Sequence, residues 1–147
     1  MTSVPNGTCV ITRPGEQMLT MERGSSEPKT AVVLLPPTGN PGEQEWQLDN
    51  LGNGNCTLRN LRSGTYLSFD SDPEANKPIA GFPEAREWAL YQSAQPGIFH
   101  IVVPGGPVDG QELALDLSLL RIFPPRLALR PLEVGNARQA WMFQPME

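Results

Sequence analysis

The chain has 147 residues, a net charge of −5 and no lysine- or arginine-rich tract, which excludes the basic face that binding a nucleic-acid backbone requires. Sixteen prolines and fourteen glycines separate short alternating apolar runs, and no window carries the three-and-four spacing of an amphipathic helix. No stretch approaches the eighteen or so apolar residues of a membrane helix. The opening MTSVPNGTCVITRPG has neither a charged nor an apolar leader region, so the reading expects no membrane partner and a cytoplasmic protein, or one released by an unconventional route.

In chain order, the first predicted strands are Gly7–Ile11, Gln17–Met21 and Ala31–Leu35, followed by a closing strand Gln44–Leu48 that carries Trp46. The pattern then restarts. Gly54–Leu58, Thr65–Phe69, Pro78–Gly81 and Arg86–Leu90 form a second set that closes on Trp88. A third set, Gly97–Ile101, Glu112–Asp116, Arg126–Arg130 and Gln139–Phe143, closes on Trp141. Two closures read Gln-x-Trp and the middle one reads Arg-x-Trp. The tryptophans lie 42 and 53 residues apart, which puts extra length in the third unit, at Asp116–Pro125. Three units of four strands with little or no helix must close on themselves to protect their edges. The predicted fold is therefore all-β, a β-trefoil, as one domain with repeats at about 5–48, 49–92 and 93–147.

The three tryptophans are expected in the core. Cys9 and Cys56 occupy equivalent positions in units one and two, around the axis and beyond disulfide reach, so both are expected to be small buried hydrophobes. His100, between apolar neighbours in the third unit's first strand, is expected to be a partly exposed strand residue. One histidine and two cysteines make no zinc set, and neither a nucleophile elbow nor a phosphate loop is present. The carboxylates of Asp70-Ser71-Asp72-Pro73-Glu74 lack the glycine and distal glutamate of a calcium loop and read as solvated turn acids. The chain is thus expected to need no metal or cofactor, to be no enzyme, and to work by binding.

On a rigid β scaffold the binding residues lie in loops. Three are long enough: Glu22–Thr30 in unit one, which is basic; Asp70–Lys77 in unit two, which is acidic; and Leu119–Arg126 in unit three. In the first, Glu22, Arg23, Gly24, Ser25, Ser26, Pro28 and Lys29 have the makings of a substrate mimic, since an exposed Arg or Lys can enter a trypsin-like S1 pocket and pair with the aspartate at its base.

The run Tyr66–Phe69 through Ala80-Gly81-Phe82-Pro83-Glu84-Ala85-Arg86-Glu87-Trp88, with Gln95-Pro96-Gly97 and Val103–Pro107, resembles the cospin-like serine protease inhibitors of mushrooms. Pro5–Ile11 fits that family's start, with Cys9 where a tyrosine is common. The resemblance spans nearly the whole chain. It implies a monomeric fungal defence protein whose partner is a trypsin-like serine protease, inhibited reversibly through the unit-one loop. Carried onto this chain, Arg23 is the primary specificity residue, with Gly24 after the bond, and Lys29 is the second choice; Arg is preferred for its planar, bidentate pairing. Two alternatives stand beside it. One is a carbohydrate-binding lectin, for which Tyr66 with Asp70 or Tyr91 with Gln92 are poor approximations to an aromatic platform beside an Asp and Asn. The other is a cysteine protease inhibitor of the mycocypin type.

Overall fold

A computed structural model of the protein describes residues 4–13 and 17–146; residues 1–3 and 14–16, part of the opening segment read from sequence, and Glu147 of the third unit lie outside it. It contains twelve strands: β1 (Gly7–Arg13), β2 (Gln17–Met21), β3 (Thr30–Leu35), β4 (Trp46–Asn50), β5 (Cys56–Asn60), β6 (Tyr66–Ser68), β7 (Ala80–Phe82), β8 (Ala89–Gln92), β9 (Ile98–Val102), β10 (Leu113–Leu117), β11 (Leu127–Pro131) and β12 (Trp141–Pro145). The only helical pieces among the described residues are 3-10 turns at Glu22–Gly24 and Ala137–Gln139.

Six strands close a barrel. β1 pairs with β4 and β12, β4 with β5, and β9 with β8 and β12. The ring is completed within unit two, between the start of β5 and the residue before β8, by a reciprocal pair of bonds: Cys56 N–H to Trp88 O at 2.9 Å and Trp88 N–H to Cys56 O at 2.8 Å. The other six strands form three hairpins, β2–β3, β6–β7 and β10–β11. They meet around the axis as a triangular cap. β3 pairs with β7 through Ala31 and Ala80, Pro78 bridges to Ala128, and Arg126 bridges to Val33. This is a β-trefoil: every edge is paired within the ring or the cap.

The tryptophans explain the three-fold pattern physically. Trp46, Trp88 and Trp141 are fully buried, and each indole N–H donates to a main-chain carbonyl of its own unit's second strand. The acceptors are Leu19 at 3.1 Å, Leu67 at 2.9 Å and Leu115 at 3.2 Å. Each closing residue thus fills the core and ties the cap hairpin of its unit to the barrel, leaving no orphaned N–H.

Some boundaries differ from the sequence reading. The closing strands start at the tryptophan or just after it, because Gln44 and Gln139 end turns and spend their side chains on local bonds. The third strand of unit two starts at Ala80, since Pro78 has no N–H to give a ladder. Cys9 and Cys56 are buried free thiols. Burial raises the Cys9 pKa to about 11; burial, with the Cys9 thiol nearby, raises that of Cys56 to about 12. His100 is not partly exposed: it is 1% exposed beneath the segment that precedes β12, and its Nδ1 meets Gln139 O at 2.8 Å.

Candidate functional site

The unit-one loop between β2 and β3 projects from the cap. Its feet are fixed by Lys29 N–H to Gly81 O at 2.8 Å and Thr30 N–H to Glu27 O at 3.2 Å, and Ser25 Oγ accepts from Glu27 N–H at 3.1 Å. The Arg23 side chain is 78% exposed, 4.0 Å from Glu22; Ser26 and Pro28 are exposed, Gly24 and Ser25 half-buried. Both candidate anchors sit in the left-handed region, Arg23 at φ 56 and Lys29 at φ 70. The chain turns at each of them and does not run on as an extended strand. Lys29 also pairs with Asp70 at 3.4 Å, so the basic loop of unit one and the acidic loop of unit two lie together.

The register shows where the units differ. The residue after each acceptor leucine is Thr20, Ser68 or Asp116, all buried. In units one and three the Gln of Gln-x-Trp bridges this residue to a proline carbonyl. Gln44 Nε2 donates to Thr20 Oγ1 and Pro36 O, both at 3.0 Å. Gln139 Nε2 donates to Asp116 Oδ2 at 3.1 Å and Pro131 O at 2.8 Å. In unit two Arg86 takes this role with a longer reach. Its Nε donates to Ser68 Oγ at 3.1 Å and its Nη2 to Phe69 O at 2.8 Å and Ser71 O at 3.3 Å, while the guanidinium lies 3.9 Å over the Phe69 ring. The third strands place Leu35, Phe82 and Arg130 at equivalent positions, each one residue beyond the partner of the acceptor leucine.

Two of these equivalent regions open into cavities. In unit three a pocket of about 270 Å³ is lined by Asp116, Arg130, Glu133, Asn136 and Arg138, among others, with no aromatic ring. Arg130 is already engaged, donating to Asn76 Oδ1 at 2.6 Å. In unit two a wider groove of about 650 Å³ runs between the β6–β7 hairpin, the Glu84–Glu87 segment and Val103–Gly105. Phe82 and the exposed carboxylates of Asp70, Glu84 and Glu87 line it, with the Asn55 amide.

Glu87 is set in place. Its Oε1 accepts from Asn53 Nδ2 at 2.9 Å and Asn55 Nδ2 at 3.0 Å, and these bonds, Asn55 first, hold its carboxyl below the usual carboxylate range. The groove therefore offers an aromatic face, a pre-oriented ionised carboxylate and an amide on one surface. An apolar wall with a few convergent polar groups suits a small polar ligand that also has an apolar face.

Of the sugar-site approximations read from sequence, Tyr66–Asp70 adjoins this groove through Asp70 alone. Tyr91 instead donates from its hydroxyl to Glu112 Oε1 at 2.7 Å, which raises the phenol's pKa. The sequence reading missed Phe82, Asn55 and Glu87 as a group. The available signal was the repeat register, which sets Phe82 where unit one has leucine and unit three has arginine.

No family model matches the chain, and no curated protein does. Solved structures do. The Rhizoctonia solani agglutinin superposes with a TM-score of 0.83 at 23% identity, covering 99% of both chains. The Macrolepiota procera ricin B-like lectin, solved in complex with lactose, gives 0.78 at 23% identity, covering 99% of this chain and 100% of that one. The designed three-fold symmetric protein ThreeFoil gives 0.81 at 18% identity, covering 96% and 100%. At such identities the likeness carries architecture and not activity, so the expected kinship with protease inhibitors stays an expectation. The chain has the β-trefoil fold, shared over nearly its full length with ricin-B-like mushroom lectins.

Proposed function

We propose that this trefoil is a carbohydrate-binding module whose ligand lies in the unit-two groove, with one sugar face on Phe82 and its hydroxyls on Glu87 and Asn55. The observation that carries the reading is the meeting of an aromatic ring, a fixed carboxylate and an amide in one groove of about 650 Å³. The names of the similar structures, an agglutinin and a lectin with lactose, support it. A glycan array followed by calorimetric titration tests it. Phe82→Ala should weaken binding of an array hit about tenfold or more, about 1.4 kcal/mol. Glu87→Gln should weaken it by a similar factor, by replacing a charge-assisted acceptor. Absence of any glycan ligand, or affinity indifferent to both substitutions, contradicts the reading.

A second reading is reversible inhibition of a trypsin-like serine protease through the unit-one loop, favoured by the 78% exposure of Arg23 on a loop fixed at its feet. Substrates enter such enzymes extended, so Arg23 or Lys29 would have to leave its left-handed conformation on binding. Arg23→Ala and Lys29→Ala, assayed against trypsin, test it. Loss of inhibition in one of them supports this loop, and unchanged inhibition in both removes it.

A further inference from the structure

The longest departure from three-fold symmetry lies outside the unit-two groove. Between β10 and β11 the chain runs Ser118-Leu119-Leu120-Arg121-Ile122-Phe123-Pro124-Pro125-Arg126, bending at Leu119 and again at Phe123–Pro124. Leu119 and Leu120 are each 63% exposed, Ile122 45% and Phe123 84%. Four large apolar side chains in five residues thus face solvent, and among the described residues the only other exposed large hydrophobics are Leu61, Val134 and Met146. A contiguous apolar patch of this kind is an interaction surface.

The loop is held, and it is cationic. Ser118 N–H donates to Arg126 O at 2.8 Å, closing its foot, and Leu34 N–H donates to Pro125 O at 2.9 Å, fastening it to the unit-one hairpin. Arg121 and Arg126 are exposed, and neither side chain has an ion pair among the described residues. No carboxylate lies between Ser118 and Arg126, and Asp116, just before, is buried and accepts from Leu117 N–H and Gln139 Nε2. In the acidic loop of unit two, Asp70 pairs with Lys29 at 3.4 Å and Glu74 with Lys77 at 3.5 Å. Beside Leu119 and Leu120 lies a cavity of about 400 Å³, lined also by Ala31, Pro78, Lys29 and Arg126.

We infer that this face docks on an anionic lipid bilayer, with Leu119, Leu120, Ile122 and Phe123 in the interfacial layer and Arg121 and Arg126 on the headgroups. Apolar side chains interleaved with unpaired arginines suit a surface that is apolar beneath and negative above. The net charge of −5 does not decide against it, because physiological salt screens charges beyond about 8 Å, and the charges nearest the bilayer are the two arginines. The cavity gives a headgroup phosphate a recess that Lys29 and Arg126 both line. A nine-residue loop falls short of the roughly 20–30 residues per side of a standard protein interface. A second copy docked on the same face would set Arg121 and Arg126 against their own equivalents. No helix among the described residues is long and apolar enough to cross a membrane, the ground on which the sequence predicts no membrane partner; contact at the surface needs no such helix. The inference is independent of the carbohydrate reading, since no residue of this face lines the unit-two groove.

Co-sedimentation of the intact protein with vesicles tests it, with far-ultraviolet circular dichroism confirming that each variant is folded. Phosphatidylcholine vesicles containing phosphatidylserine should bind it about tenfold or more tightly than phosphatidylcholine alone, and added salt should weaken that binding. On the anionic vesicles Phe123→Ala should lower the partition coefficient about tenfold and Arg121→Gln about fivefold. Val134→Ser, which removes a similarly exposed apolar side chain elsewhere, should leave it unchanged. Lipids brominated on their acyl chains should quench the added indole of Phe123→Trp and spare the three buried tryptophans of the parent. The inference is overturned by an absence of binding to phosphatidylserine vesicles, or by an unquenched Phe123→Trp. Binding that survives both Phe123→Ala and Arg121→Gln, or that is lost with Val134→Ser, would equally sink it. So would a parent dimer in sedimentation velocity that Phe123→Ala dissociates, since the face would then belong to a second copy.

Discussion

Each indole N–H that meets a leucine carbonyl joins cap to barrel at one point, and the three points are chemically alike. Trp88→Phe keeps a large ring, leaves the Leu67 carbonyl unpaired and opens a small void. It should lower stability by about 2–3 kcal/mol, read as a shifted urea midpoint with unchanged slope. The buried thiols give a separate residue-scale test. Their pKa values rise from the ordinary 9.0 to about 11 for Cys9 and about 12 for Cys56. Between pH 9 and 11 the unfolded chain gives up thiol protons that the folded chain keeps. Stability is then complete below pH 9 and falls as pH rises, by about 1.4 kcal/mol per pH unit for each thiol. Cys9→Ala should remove its share of that slope in pH-dependent urea titrations.

At the scale of elements, the hairpins are pinned by close approaches that admit little change. Gly81 in β7 is such a place: an added Cβ would lie 2.6 Å from Thr65 Oγ1 and 2.7 Å from Met21 Cε. Gly81→Ala should cost about 1–3 kcal/mol through overpacking, measured by thermal unfolding. This contact joins unit two's hairpin to Met21 of unit one, so the cap should loosen there first. Such contacts also mark the limit of sequence reading. Strand positions were legible because alternation and the tryptophan register are local and repeated. The groove was not, because Asn55, Phe82, Glu87 and Val103 come from four segments that meet only after the cap docks. The backbone sign at Arg23 was equally hidden. Nothing in Glu-Arg-Gly distinguishes an extended loop from a 3-10 turn with a left-handed arginine, although the glycine at φ 61 that follows it suits a turn.

At the scale of the molecule, β1 pairs with β12 and β4, so the first and last strands close the barrel against each other. No unit has a complete core alone, and the described chain should unfold in one cooperative transition with coincident fluorescence and circular dichroism curves. Truncation before Trp141 removes β12 and one of the three cap-to-barrel bonds, and should abolish that transition. The symmetric scaffold supports three chemically unlike positions: Thr20 with Leu35, Ser68 with Phe82, and Asp116 with Arg130. Only the second has an aromatic ring, beside a carboxylate already fixed by two amides. The most direct test of that assignment is a nitrogen–proton NMR titration of the labelled protein with lactose and with a glycan selected on the array. Binding in the unit-two groove predicts saturable shifts centred on the Asn55, Ser71, Glu87 and Gly105 amides, abolished in Phe82→Ala. Shifts confined to Glu133–Gln139 of unit three, or no saturable shift with any glycan, would contradict it.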